Sequence, residues 1–510
     1  MPDDAGDSSL SPSYDELVVE NAGLRELVAA LKGNLYEQTV ALREQNVALE
    51  AQLESLRDRI ARLEAELGRN SENSSKPPSS DPVAPRQSRA ERRQAAREAV
   101  RRQGKQPGAP GANLARLEPD AVSRHTPFSC ESCGEDLASA EVVGTVVRQV
   151  LDIPPVAVTA TDHVAERRRC QCGHETQGVF PPAARAPVCW GPEVRALAVY
   201  LMDRQHLPLE RTAELLAELL DAPVSTGWLC SVQAEAAGKL DVFVQAVKAG
   251  LSVSPVLHAD ETGTRVGVRR AWVHTLGSNL LTLLVVHPKR GVEALEDIGV
   301  LGDFTGTLVH DGWASYDAFE DVVHAQCGAH LIRHLASVGQ SAAYAPWCAE
   351  MTEILLSAKA AAEAAALAGR HKVQARAAAA IRLRYHETLD LAFSLLPVGP
   401  PPRRRHRGNW TTYQREAWNL ASRLRNGADD VLRLLDDTAV PLTNNTAERA
   451  LRMVKLHDKI SGTFRSEEGA RSFATIRSYL QTAALNNKNR LDVLRQLFTT
   501  GAWLPEMTRT

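Results

Sequence analysis

Three acidic residues have the chemistry and the sequence context for phosphoryl transfer. Asp260 ends the strand-like run VLHAD, Asp311 ends GTLVHD, and Glu448 lies near the start of a predicted helix. Two divalent cations held a few ångströms apart activate an attacking oxygen and stabilise a leaving oxygen. Mg²⁺ is usually held by a few carboxylates together with the phosphates of the substrate. The three acids therefore predict a site for two Mg²⁺ ions, or for Mn²⁺ in their place.

Each acid also has a purely structural interpretation. Asp260 precedes ETG and Asp311 precedes a glycine, as aspartates in turns often do. In the segment Asn445-x-x-Glu448, Asn445 can cap the helix while Glu448 bonds back to its N–H, which is a capping box. The local sequence leaves these alternatives open, and the catalytic interpretation depends on the three acids taken together.

Basic residues follow the third acid on the same predicted helix. Arg452, Lys455 and Lys459 lie four, seven and eleven residues after Glu448, so the four side chains share one helix face. Such a face suits a nucleic-acid backbone beside a metal ligand. It also suits a solvated ion-pair face, worth about 0.3–0.5 kcal/mol per pair. A second basic cluster is RRRHR, and the candidate DNA-binding residues are Arg449, Arg452, Lys455, Lys459, Arg403, Arg404 and Arg405.

Two close pairs of cysteines predict a structural zinc site. Cys130 and Cys133 form one pair, Cys170 and Cys172 form the other, and a glycine follows each pair. Four thiolates on two turns can complete one tetrahedral Zn²⁺ site with no open catalytic position. His174 is an alternative ligand for one of them. The runs VVGTVVRQVLDIPPV and VTATDHVAERRR between the pairs are strand-like.

Composition bounds the class of protein. The 510 residues exceed what one hydrophobic core comfortably serves, and the net charge of −3 indicates no general affinity for nucleic acid. The stretch from Arg86 to Lys105, however, is strongly basic, and local patches matter more than the total. No run of 18 apolar residues is present and the N-terminus is acidic and polar, so we expect a cytoplasmic protein without membrane contact.

Periodicity indicates a multidomain α+β protein. Leucines at heptad spacing over 14–67, with Asn21 and Asn46 at core positions, favour a coiled coil that pairs two copies. A long helix packed on its own chain is the alternative. The helical stretch 190–250 has helix-turn-helix spacing, which is also common in hairpins that only pack a core. The predicted segments are a coiled coil (14–67), a disordered basic linker (68–127), a zinc-binding module (128–182), a helical domain (190–250), a mixed-sheet core in two parts (251–338 and 436–503) and an all-α insertion between them (339–435).

The motifs together resemble the transposases of the insertion sequence 66 family, which are DDE enzymes. The similar segments are NSSKPPSSD, LDIPP between the cysteine pairs, HADET, HDGWASYDAF, NNTAERALR and GTFRSEEGARSFATIRSYLQTA. The chain departs from the family at Thr443, where an aspartate is usual.

This resemblance implies an RNase H-like catalytic domain interrupted by the all-α insertion. It implies that Asp260, Asp311 and Glu448 are the catalytic acids and that the four cysteines bind zinc. The implied partners are double-stranded DNA (element ends and target), a second copy or more of the chain, and helper proteins of the same element, in association with the nucleoid. The alternatives are a catalytically inactive zinc- and helix-based DNA-binding protein derived from a transposase, a general metal-dependent nuclease, and a coiled-coil scaffold.

Overall fold

The structure is a computed structural model that describes residues 114–153, 156–402 and 410–506, together with Val19 and Gly23. The predicted coiled coil, most of the predicted linker and Arg403 to Arg405 therefore lie outside the described residues. The described chain forms two compact units. The smaller comprises His330–Ser357 and Ala379–Asn426, and the larger comprises residues 114–329, Ala358–Ala378 and residues 427–506.

A five-stranded mixed sheet is the centre of the larger unit. Its strands are β3 (Val256–Val266), β4 (Arg269–Gly277), β5 (Thr282–His287), β6 (Thr307–His310) and β7 (Val323–Gln326). The spatial order is β5-β4-β3-β6-β7. The first three strands form an antiparallel meander, and β6 and β7 continue the sheet in parallel with β3. This confirms the prediction of a mixed sheet. Short turns join the antiparallel strands, whereas the parallel strands are reached by longer crossover connections.

Helices cover both faces of this sheet. Three follow the insertion: α12 (Asn445–Ile460), α13 (Glu467–Leu485) and α14 (Arg490–Thr499). α12 packs Leu451 and Val454 on Ala271 and Val273 of β4, with Phe473 of α13 in the same cluster. On the other face, a larger core joins the helical domain, β3 to β6 and the rest of α13 and α14. The sheet is thereby fixed between two apolar layers. A short helix, α5 (Val292–Ile298), connects β5 to β6.

The helical domain before the sheet contains α1 (Pro192–Val199), α2 (Leu209–Leu220), α3 (Thr226–Gly238) and α4 (Asp241–Ser252), with a π-helical turn at Tyr200–Arg204 after α1. Asp221 ends α2 in the left-handed conformation, and the Ser225 hydroxyl caps α3 by accepting from Trp228 N–H at 3.1 Å. The two predicted helices of the hairpin are therefore present. Leu216 and Leu229 pack them together.

The described elements between residues 339 and 436 are all helices. They are α7 (Ala345–Leu367), α8 (Ala375–Ser394), α9 (Thr412–Asn426), α10 (Ala428–Val431) and α11 (Arg433–Asp436), and α6 (Gly328–Val338) precedes them. Within the smaller unit, the buried Tyr385 hydroxyl of α8 donates to Leu424 O of α9 at 2.7 Å. None of the described helices is long and apolar enough to cross a membrane.

The cysteine-containing segment has much less strand than predicted. Only β1 (Arg167–Arg169) and β2 (Glu175–Gln177) form there, as one antiparallel ribbon. The strand prediction for VVGTVVRQVLDIPPV is wrong in its described part, which has no regular structure. Its β-branched side chains find no core, since Val143 is 97% and Val146 is 92% exposed. High β-propensity without a packing partner does not make a strand.

Candidate active site

One face of β3 is aligned with α12 by two side-chain contacts. Alternate side chains of a strand lie on the same face, so His258, Asp260 and Thr264 share one. The His258 ring lies 3.0 Å (Nδ1 to Oδ1) from Asn444, the residue before α12, and Thr264 Oγ1 lies 3.3 Å from Asp458 Oδ1 near its end. Asp260 lies between these two contacts.

The advance per residue along β3 and along α12 then shows which helix residue lies opposite Asp260. From His258 to Thr264 the strand advances about 20 Å, and from Asn444 to Asp458 the helix advances about 21 Å. The two elements therefore run side by side in the same direction. Asp260 lies about 7 Å beyond His258, and one helical turn of about 6 Å beyond Asn444 reaches Glu448.

The second aspartate is aligned by the parallel pairing of β3 with β6. Val309 pairs with His258, so continuing this register by two residues puts Asp311 beside Asp260. Neighbouring strands are about 4.8 Å apart. The Asp311 carboxylate accepts a hydrogen bond from Trp313 N–H at 2.9 Å, and that of Asp260 accepts from Glu261 N–H at 2.9 Å. The structure thus brings the three predicted acids to one place.

The electrostatics of Asp260 agree with this convergence. Its pKa is raised well above the usual range, first by burial and then by the negative charges of Glu261, Asp311 and Glu448. Mutual repulsion among buried carboxylates is what a bound divalent cation relieves. Oxygen donors of this kind match the preference of Mg²⁺ and Mn²⁺. The donor set therefore fits the predicted ions.

Asn444 is a residue of the site that the sequence interpretation missed. It is fully buried, its Nδ2 donates to Ala259 O at 2.6 Å, and its Oδ1 accepts from His258. The predicted capping box is wrong, because Asn444 and not Asn445 occupies the N-cap and its side chain turns to β3. The sequence did contain one signal for this role. Two consecutive asparagines stand in NNTAER, whereas a helix cap needs only one.

Glu261 is a second residue that was missed, and it forms a bridge behind Asp260. Its side chain is 1% exposed and accepts two hydrogen bonds from Arg290, at 2.9 and 2.6 Å. The Tyr316 hydroxyl donates to its other oxygen at 2.8 Å. The Arg290 guanidinium lies 4.1 Å from the ring centre of Trp313, whose N–H holds Asp311. The two aspartates are therefore linked through Glu261, Arg290 and Trp313, and the motif HADET by itself did not reveal this link.

The loop after β6 is held by a histidine pair. Gly312 N–H donates to His310 Nδ1 at 3.1 Å, which leaves the proton of His310 on Nε2, 3.2 Å from His324 Nδ1. Gly312 has a φ of +81°, a conformation that favours glycine. Together these features fix the direction of the chain as it leaves Asp311.

The predicted DNA-binding residues on α12 have different surroundings. Arg449, Arg452 and Lys459 are exposed. Arg452 Nη2 lies 3.4 Å from Glu448 Oε2. Lys455 is half-buried and donates to Gly263 O of β3, and burial lowers its pKa. Lys455 therefore has a partner within the protein.

Each cysteine pair forms a tight turn. Gly134 and Gly173 have φ values of +78° and +86°, and Gly134 N–H donates to Cys130 O at 2.9 Å. Hydrogen bonds within the pairs, first from the backbone of Cys133 and of Cys172, lower the pKa of Cys130 and of Cys170. Thiolate character of this kind is required for zinc binding. No three of the four thiols lie within 4.8 Å of one another in the described part of the chain.

Comparison with known families agrees with this geometry. Residues 187–472 match the description "Transposase IS66 family", and this match covers more than half of the chain and all three acids. Residues 127–173 match the zinc-finger binding domain of transposase IS66 and include the four cysteines, which supports a structural Zn²⁺. Residues 7–115 match a family of unknown function. Among curated proteins, none matches the chain. The chain belongs to the IS66 family of transposases.

Proposed function

We propose that this protein is a DDE-type DNA transposase, which cuts the ends of its insertion element and joins them to target DNA. The observation that carries the proposal is the meeting of Asp260, Asp311 and Glu448 on one face of the sheet. The strand order, an antiparallel meander extended by two parallel strands, supports assigning the sheet to an RNase H-like core.

The three acids would hold two Mg²⁺ ions, or Mn²⁺, which when bound supply activation of the attacking oxygen and stabilisation of the leaving oxygen. Asn444 keeps Glu448 level with Asp260, and the Glu261–Arg290–Trp313 bridge keeps Asp311 beside it. In the first step, water attacks a phosphodiester at the element end and releases a 3′-hydroxyl. In the second step, that hydroxyl attacks a phosphodiester of the target DNA in line, which joins the element end to the target 5′-phosphate, breaks the P–O3′ bond and releases a 3′-hydroxyl of the target strand.

The partners follow from the same proposal. Arg449 follows Glu448 directly, and Arg452 and Lys459 lie about one and three turns beyond it. These exposed residues would contact phosphates, as would Arg403, Arg404 and Arg405. Cys130, Cys133, Cys170 and Cys172 would bind the structural Zn²⁺. The coiled coil over 14–67 would pair protomers so that two element ends meet. Helper proteins of the element and association with the nucleoid remain predictions, as does DNA contact by the α2–α3 hairpin.

A strand-transfer assay on DNA carrying the element's own ends tests the function. Wild-type protein with Mg²⁺ should produce joined products, and Asp260→Asn or Glu448→Gln should reduce them at least a hundredfold. Glu468→Gln, an exposed acid on α13, is the matched control and should behave as wild type. Joining that survives Glu448→Gln would contradict the assignment. End-specific binding by a wild-type protein that neither cuts nor joins would favour a catalytically inactive relative, and cutting without end preference would favour a general nuclease.

A further inference from the structure

The β3–β4 hairpin extends beyond the rest of the sheet as a two-stranded ribbon. β6 pairs with β3 only at Val256–His258, and β5 pairs with β4 only from Trp272 onward. Apart from one bridge between Val266 and Phe464, the residues at 264–266 and 269–271 pair only with each other among the described residues. We call this segment, 264–271, the ribbon.

The two faces of the ribbon are different. Val266 and Ala271 are buried against α12 and α13. On the opposite face, Arg265 and Arg270 pair directly across the strands, and both are exposed. Arg269 follows the turn and is exposed as well. The apolar contacts anchor the ribbon, while the arginines face solvent.

The charges of the ribbon have no acidic partner in the described part of the chain. No carboxylate there lies within 4.0 Å of the guanidinium of Arg265, Arg269 or Arg270. Like charges directly opposite each other destabilise a strand pair. The structure places the Arg270 guanidinium 5.0 Å from the ring centre of Trp272, a partly exposed aromatic residue. Unneutralised arginines beside an aromatic ring form a surface that fits a polyanion.

The proposed function identifies the polyanion as DNA. Arg265 lies five residues beyond Asp260 on the same strand, which is about 16 Å. Because alternate side chains of a strand share a face, Arg265 and Arg270 are on the face of the sheet opposite Asp260 and α12, so they lie to one side of the cleaved phosphate. We propose that the ribbon binds the phosphate backbone of duplex DNA outside the cleaved step. This inference rests on the proposed function, because DNA is the polyanion of that reaction.

The test removes two ribbon charges and compares the salt dependence of DNA binding. Arg265→Gln/Arg270→Gln is the variant, and Arg370→Gln/Lys488→Gln, two exposed cations elsewhere on the larger unit, is the charge-matched control. The probe is a fluorescent duplex of random sequence, titrated by anisotropy across a series of NaCl concentrations. Each lost phosphate contact should lower the slope of log K against log salt by about 0.9, so the variant should lose about 2 and the control nothing. Equal slopes for the variant and wild type, or equal losses for the variant and control, would overturn the proposal.

Two further measurements make the test specific. On element-end DNA, neutral methylphosphonates placed in turn along the duplex outside the cleaved bond should weaken wild-type binding at one or more steps, and the same substitutions should not weaken variant binding. Asp260→Asn should keep the full salt slope. A wild-type protein with the full salt slope but no strand transfer, or strand transfer that survives Asp260→Asn, refutes the proposed function alone, whereas an unchanged slope in the ribbon variant refutes the ribbon alone.

Discussion

The alignment of Glu448 with Asp260 depends on the buried side-chain amide of Asn444. Replacing this amide should lower both the unfolding free energy and the rate of strand transfer. Asn444→Ala removes both side-chain bonds to β3 and leaves Ala259 O and the His258 Nδ1–H without that partner. An unsatisfied buried polar group costs about 1–3 kcal/mol. We therefore expect a loss of about 2–4 kcal/mol in unfolding free energy of the larger unit. Displacement of a catalytic group by about 1 Å reduces rate by about 10²-fold, and we expect a reduction of that order in strand transfer.

Its neighbour provides the control. Asn445 is exposed and is the first residue of α12, so Asn445→Ala should change both quantities little. Asn444→Asp keeps an acceptor for His258 but turns a carboxylate oxygen towards Ala259 O. It should therefore restore neither the unfolding free energy nor the rate of strand transfer. Denaturant unfolding and the Mg²⁺ concentration for half-maximal strand transfer are measured together. If Asn444→Ala is destabilised but keeps the rate and Mg²⁺ dependence of Asn445→Ala, the amide does not align the acid and our reasoning is wrong.

Two other substitutions test buried charges. Arg290→Met leaves the buried Glu261 carboxylate without its cation, so it should cost about 2–3 kcal/mol at pH 8; the loss should shrink towards pH 5, because the pKa of Glu261 is already raised, first by burial. Denaturant unfolding checks this, with Lys289→Met at an exposed neighbouring residue as the control. If adding Glu261→Gln to Arg290→Met does not offset the loss of stability, the explanation is wrong. Asp203 is fully buried, and burial raises its pKa to about 7. Its stabilising contribution is present below about pH 4 and is lost as pH rises through about 7, so wild type should melt lower at pH 8 than at pH 5. Asp203→Asn should flatten this difference, and an unchanged difference by calorimetry would exclude Asp203 as its source.

Local patterns predicted the elements of the core better than the contacts between them. The strand that carries Asp260, the strand before Asp311 and the helix that carries Glu448 are where apolar runs and amphipathic spacing predict them, because burial of one face determines such elements locally. The predicted end of the first strand at Asp260 is wrong, because β3 continues through ETG to Val266. The sharing of one face by the three acids was predicted only as a joint hypothesis. Their alignment depends on the parallel register of β3 with β6 and on the contact of Asn444 with Ala259, and neither is encoded within one segment.

Residues that act across large sequence distances were missed for the same reason. Glu261 reads as half of a turn in HADET, and its role emerges only when Arg290 and Tyr316 reach it. Asn444 reads as a cap, and its role emerges only from β3. In the cysteine-containing segment the error was the reverse. Its β-branched residues predicted strands, but the described part of the chain provides no partner against which those strands could pack.

The insertion between Asp311 and Glu448 also delays completion of the site during protein synthesis. More than a hundred residues separate the two acids, and ribosomes add about 5–20 residues per second. About 7 to 27 seconds therefore elapse between the emergence of the second acid and that of the third. During this interval a nascent chain has both aspartates but lacks α12, which carries the third acid, and α13, which with α12 anchors the ribbon. If the ribbon binds DNA as proposed, holding a duplex and cutting it therefore become possible only after the same two helices have emerged.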